Sequence, residues 1–353
     1  MVARVSRSAE VSESRPRTLL AVGAVLAVLF ISLVTLALPA RSSEPRRYTI
    51  AFANITEEPG LTIEGTGFTG ADVRQSFLLA AREQPVDLVL YDNQKDAAKA
   101  RANAADAIQR KVDLYVQYFP DPAVNKDVAE MLRKAGIPAL AVNYPVTGAP
   151  LYGVDNSAAG QIAGEALARF AGRAWAGQPM AAILLGNLTD QSNGLPERAQ
   201  GVRASLARLL PAARVIALDT RGNPAQVNSL LGKAAAANPN TRLLIAALDD
   251  ATALAAKSAL DALSRTADGA IVGLGCDRSV HGGASEKKEI DPNNRGSILI
   301  GSVAFYLDRY GYDVLPLALR VLRGESIAPR TPTRHTLITT ANVWREYPPY
   351  DMQ

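Results

Sequence analysis

The chain of 353 residues exceeds the ~100–200 residues of one ordinary domain, and its 48% hydrophobic and 20% charged residues exclude collagen-like, disordered and disulfide-stapled classes. Its net charge of +4 is concentrated at the start, where residues 1–41 hold five arginines against two glutamates; the remainder carries a net of +1 without any basic run, which excludes nucleic acid as a partner. A single cysteine, Cys276, rules out an internal disulfide.

Residues 1–17 form a basic segment, read as cytoplasmic, and residues 18–40 are an uninterrupted run of uncharged, mostly apolar side chains. About 20 such residues suffice for a membrane-spanning helix, and a preceding basic stretch stays on the cytoplasmic side. The run is therefore either a transmembrane anchor or a signal sequence, and it makes the membrane a partner. Its ending, Ala37-Leu38-Pro39-Ala40, fits a small-x-small cleavage site poorly, which favours an uncleaved anchor. The rest of the chain is expected to be periplasmic or otherwise extracytoplasmic. Residues 41–47 form a polar, proline-containing linker.

Short apolar runs rich in β-branched residues follow, alternating with longer helical patterns. The first set of strands is expected at 48–54 (YTIAFAN), 86–92 (VDLVLYD), 113–119 (DLYVQYF) and 138–144 (PALAVNY). The second is expected at 180–187 (MAAILLGN), 215–219 (VIALD), 243–248 (LLIAAL) and 270–274 (AIVGL), with helices at 96–110, 123–135, 157–170, 225–237 and 251–263. A strand at 297–304, a helix at 307–323 and a short strand at 336–340 close the chain. Repeated strand-helix-strand units predict an α/β fold of two doubly wound parallel-sheet lobes, with a ligand in the cleft at the carboxyl ends of the strands.

In order and spacing, the segments IAFAN, LVLYDNQKDAAKARANAADAIQRKVDLYV, AGIPALAVNYP, YGVDNSAAGQIAGEAL, ERAQGVRASL, LLIAALDDATALAAKSAL, AIVGLGCD and GSVAFYLDRYGYDVLPLALRVLRGE resemble the type I periplasmic sugar-binding proteins. That family, of ribose- and galactose-binding kind, shares its fold with lac-repressor-type effector domains. The resemblance covers residues 48–340. It implies three crossings between lobes, near 149–156, 305 and 331–337, with lobe one at 48–150 plus 306–332 and lobe two at 151–305 plus 333–353. It further implies a small carbohydrate-like ligand, delivered to the permease of an ABC-type importer. The alternative is a membrane-tethered sensing module for a kinase or chemoreceptor.

By position in the family pattern, Arg198 is expected to donate forked hydrogen bonds to sugar oxygens. Asp249 is expected at the cleft with Asp250 capping the helix that follows, and Asp277 resembles a pocket aspartate. The chain departs from the ribose-binding pattern at Asn143-Tyr144, at Phe305 and in the loop 55–67, which lacks the paired aromatics that sandwich a sugar ring although Phe68 is a candidate to reach inward; these changes remove charge and add aromatic surface from lobe one. Tyr118, Phe119, Tyr144 and Phe305 are then candidates to stack on a ligand.

Signals for chemistry are weak. Cys276 and His281 lie five residues apart with no third group to orient them, two histidines do not make a zinc site, and no phosphate-binding glycine motif occurs. No cofactor and no catalysis are expected.

Overall fold

A computed structural model describes residues 46–190, 194–282 and 288–348. The apolar run at 18–40 lies outside them, and no helix among the described residues is long and apolar enough to cross a membrane.

The first sheet is built from β1 (Tyr48–Asn54), β2 (Val86–Asp92), β3 (Leu114–Gln117), β4 (Ala139–Val142), β5 (Leu151–Gly153) and, from near the end of the chain, β11 (Arg330–Pro332). Its order is β11-β5-β4-β3-β1-β2 and every pairing is parallel. The second sheet holds β6 (Met180–Gly186), β7 (Arg214–Asp219), β8 (Arg242–Ala247), β9 (Gly269–Gly275), β10 (Leu299–Ala304) and β12 (Thr336–Ile338) in the order β12-β10-β9-β8-β6-β7. Only β12 there runs antiparallel, against β10.

Central strands buried on both faces explain the unbroken apolar runs: β9 is buried along its whole length and β8 over five of its six residues. In the first sheet Phe52 of β1 stacks on Phe77 with ring centroids 3.8 Å apart, fixing α1 (Gly70–Arg82) against the strands. The other long helices of this lobe are α2 (Ala97–Gln109) and α3 (Pro122–Lys134), each started by an aspartate whose carboxylate accepts first-turn N–H groups. The second lobe carries α4 (Asn156–Ala174), α5 (Leu195–Leu209), α6 (Val227–Ala236) and α7 (Asp250–Ala262).

The chain passes between the sheets three times: after Gly153, after Ala304, and between Pro332 and Thr336. The first passage lies beyond residue 150 because 151–153 pair with β4 on one side and β11 on the other, giving the first sheet a strand that its three residues made hard to anticipate. After the second passage α8 (Tyr310–Leu322) returns to lobe one, where the Gly311 N–H donates to Ser76 Oγ at 2.9 Å. The short α9 (Val343–Glu346) ends the described chain on lobe two, with Val343 and Tyr347 in the same apolar cluster as Ile338 of β12.

Candidate functional site

The carboxyl ends of both sets of strands face one cleft, and a hairpin from lobe one reaches across it. After β1, residues 62–69 fold back on themselves: Thr62 bridges Thr69, and the Ile63 N–H donates to Phe68 O at 2.9 Å. The Thr66 hydroxyl, donating to Ile63 O at 2.9 Å, tightens the turn. Glu64 and Gly65 both take positive φ, 56° and 58°, at the tip. Ile63, Glu64, Thr66 and Phe68 are all buried, although the segment reads as a polar loop.

What buries them is lobe two. Arg198, 0% exposed on α5, donates from Nη1 to Gly65 O at 2.9 Å and to Leu248 O at 3.2 Å, from Nη2 to Glu64 O, and from Nε to Asn156 Oδ1 at 2.7 Å. Its guanidinium lies 4.3 Å from the centre of the Phe305 ring, within range of a cation–π attraction. Burial lowers its pKa to about 10, against the opposing pull of Glu64 and Asp249, so it stays charged at neutral pH.

Asp277 makes the second tie. Its Oδ2 accepts the Gly67 N–H at 2.8 Å while Oδ1 accepts that of Ser279. A Cβ on Gly67 would stand 2.2 Å from Asp277 Oδ2, so only glycine permits this approach. Asp277 is itself set by Asp250, whose Oδ2 accepts the Asp277 N–H at 2.9 Å and whose Oδ1 accepts the Ser302 hydroxyl at 2.5 Å. Burial, then the nearby Asp277 charge, push the Asp250 carboxyl well above the ordinary range.

The neighbouring aspartates divide their work differently from the expectation. Asp249, rather than Asp250, caps α7, accepting the backbone N–H and hydroxyl of Thr252 at 2.7 and 2.8 Å. Asp250 is fully buried and ties the loop after β9, at Asp277, to Ser302 of β10.

On the lobe-one side, the Glu64 carboxylate accepts the Tyr118 hydroxyl at 2.6 Å. Asn143, in the left-handed region at the end of β4, donates from Nδ2 to the Tyr118 oxygen at 3.2 Å. Its Oδ1 accepts the Val154 N–H at 3.1 Å and the Tyr310 hydroxyl at 3.3 Å. Tyr118 and Tyr144 stack with centroids 6.1 Å apart, and burial followed by the Glu64 charge raises both phenols.

Beside the hairpin a cavity of about 540 Å³ opens between the lobes. Glu64, Asn143 and Tyr144 form its lobe-one wall. The start of α4, with Asn156 and Ser157, and the start of α5, with Gly194 and Glu197, form the other. Asp155, at the first crossing, and Arg330, at the start of β11, complete the lining. Two helix N-termini thus open on a space lined with hydroxyl, amide and carboxylate groups, an arrangement suited to polar solutes.

Of the residues singled out from sequence, Asn143 and Tyr144 line this cavity. Arg198, Asp277, Phe305 and Tyr118 form the cluster that grips or supports the hairpin, and Asp249 caps α7 close enough for its charge to act on Arg198. Phe119 belongs to the outer core of lobe one with Tyr115 and Val128. Glu64, Asp155, Asn156, Glu197 and Arg330 went unnoticed in the sequence. The Asp-Asn-Ser of 155–157, a helix start directly after a crossing, is the signal that could have found three of the lining positions.

Cys276 and His281 do not meet through sulfur. His281 Nε2 lies 3.1 Å from the Cys276 carbonyl oxygen, its ring stacks on Tyr347 at 4.1 Å, and burial pushes the thiol well up. The pair is a backbone tether.

Residues 62–326 match the family model for the periplasmic binding protein domain. Comparison with curated proteins gives no match. Among solved structures, an ABC transporter periplasmic solute-binding protein from Actinobacillus succinogenes with bound D-allose is similar at a TM-score of 0.63 and 17% identity, over 85% of this chain and 100% of that one. A Mycobacterium smegmatis protein in complex with β-D-fucofuranose gives 0.59 and 19%, over 86% and 95%. An ABC transporter solute-binding protein from Agrobacterium vitis with bound allitol gives 0.61 and 15%, over 86% and 99%. At these identities the likeness is one of fold.

Proposed function

Because the chain belongs to the type I periplasmic binding protein family, we propose that it is an extracytoplasmic receptor for a small polyhydroxylated solute, a sugar or polyol, which it presents to an ABC-type importer. The observation that carries this reading is the interlobe cavity of about 540 Å³, walled by both lobes and lined with hydrogen-bonding side chains from each. A ligand there touches Asn143 and Tyr144 from one lobe and Asn156 and Ser157 from the other, so it favours the state in which the lobes approach. Similar proteins hold D-allose, β-D-fucofuranose and allitol, which supports the ligand class. No covalent step is part of the proposal.

Thermal unfolding of the full chain against aldoses, ketoses, polyols and nucleosides tests the ligand class. A ligand at a hundred times its Kd adds about 2.7 kcal/mol, enough to raise Tm by roughly 4 °C in a chain of this size. A shift with a sugar or polyol is expected. A shift confined to nucleosides, or none across the panel, counts against the reading.

A further inference from the structure

The hairpin does to lobe two what a ligand would have to do. Two acceptors from its tip, Glu64 O and Gly65 O, sit on the Arg198 guanidinium, and one donor, the Gly67 N–H, sits on the Asp277 carboxylate. The guanidinium's other bonds go to Leu248 O and Asn156 Oδ1, so the donors that could fork onto hydroxyls are directed to the chain itself. Thr66 and Phe68 of the same hairpin are buried, 5% and 2% exposed.

We propose that the hairpin at residues 62–69 is an intramolecular clasp: its tip occupies Arg198 and Asp277 as a built-in surrogate ligand and holds the lobes together by itself. Solute recognition is thereby displaced from those two residues to the adjoining cavity, where the Glu64 side chain, fixed by Tyr118, is one wall.

Three features of the hairpin serve this contact. Gly67 has no room for a side chain against Asp277, and a Cβ on Gly65 would stand 3.3 Å from Arg198 Nη1. Glu64 accepts a positive φ that a non-glycine residue adopts only at a cost, and in that conformation its carbonyl meets Arg198 while its carboxylate meets Tyr118. On the far side Asp277 is pre-set by Asp250 through its backbone N–H.

The clasp needs no solute to form, so its test uses the full chain in mild detergent with no sugar or polyol added. Spin labels at Glu130→Cys on α3 and Lys233→Cys on α6, both exposed and on different lobes, report the interlobe distance, while the buried Cys276 stays unlabelled. Pulsed electron–electron resonance on this chain is expected to give one narrow distance. Gly67→Ala, which drives a methyl into Asp277, and Asp277→Ala, which removes the acceptor but keeps the N–H that Asp250 holds, are each expected to add a second, shifted distance. Two such variants guard against one failing to fold. A broad or bimodal distribution in the parent, or one unshifted distance in the variants that fold, would overturn the clasp while leaving the ligand proposal standing.

Discussion

His281 is buried between the Cys276 carbonyl and the Tyr347 ring, and burial lowers its pKa from 6.5 to about 4 in spite of the nearby Asp277. Between pH 6.5 and 4 the unfolded chain therefore binds a proton that the folded chain refuses. The stabilisation is present above 6.5 and drains away as pH falls through that window. Asp308 works against it: burial raises its carboxyl to about 6, so its contribution is present at low pH and is lost as pH rises through 6. Because the two signs oppose, the comparison with His281→Gln is the informative one. Melting temperatures taken from pH 7 to pH 4 should show the parent falling relative to the variant, and parallel curves would remove His281 from the account. At this scale the sequence was partly legible. Arg198 stood out by its type and position, and its partners did not, because the Glu64 and Gly65 groups that receive it are backbone carbonyls more than 130 residues away. The helix cap falls on Asp249 and not on Asp250 for a similar reason. Which of two adjacent carboxylates starts a helix depends on where the strand ends, and that is settled by the pairing of β8 rather than by the residues themselves.

At the scale of elements, α4 and α5 lie unusually close, and glycines make this possible. A Cβ on Gly160 would stand 2.1 Å from Arg198 O, and one on Gly201 2.2 Å from Ser157 O. The contact brings Asn156 within reach of Arg198 Nε and places both helix N-termini on the cavity. Gly201→Ala forces the helices apart, and overpacking of this kind costs about 1–3 kcal/mol. Chemical denaturation should show a loss of that size; an unchanged midpoint would mean the helix pair is looser than the geometry implies. The strands were legible from their apolar runs to within a residue or two, since most of them are buried on both faces. The three-residue strands β5 and β11 were not, because so short a segment gains its pairing only when the long strand beside it is in place. Nor was the hairpin, whose Glu-Gly-Thr-Gly tip has the composition of any surface turn.

For the molecule as a whole, alternation of strand and helix in two successive sets was enough to give two parallel sheets, and the resemblance named the family to which the chain belongs. The ligand surface was harder to see, for it is assembled from residues distant in sequence: Glu64, Asn143 and Tyr144, the run 155–157, Glu197 and Arg330. The cavity rather than the Arg198 cluster is where the solute is expected, and Tyr144 is the aromatic surface within it. The most direct measurement is isothermal titration calorimetry of the full chain and of Tyr144→Ala with the sugar or polyol that shifts the melting temperature most. The parent should bind one equivalent, and the variant should bind at least about tenfold more weakly, a loss of roughly 1.4 kcal/mol. Equal affinities in the two proteins would place the ligand elsewhere and contradict the account.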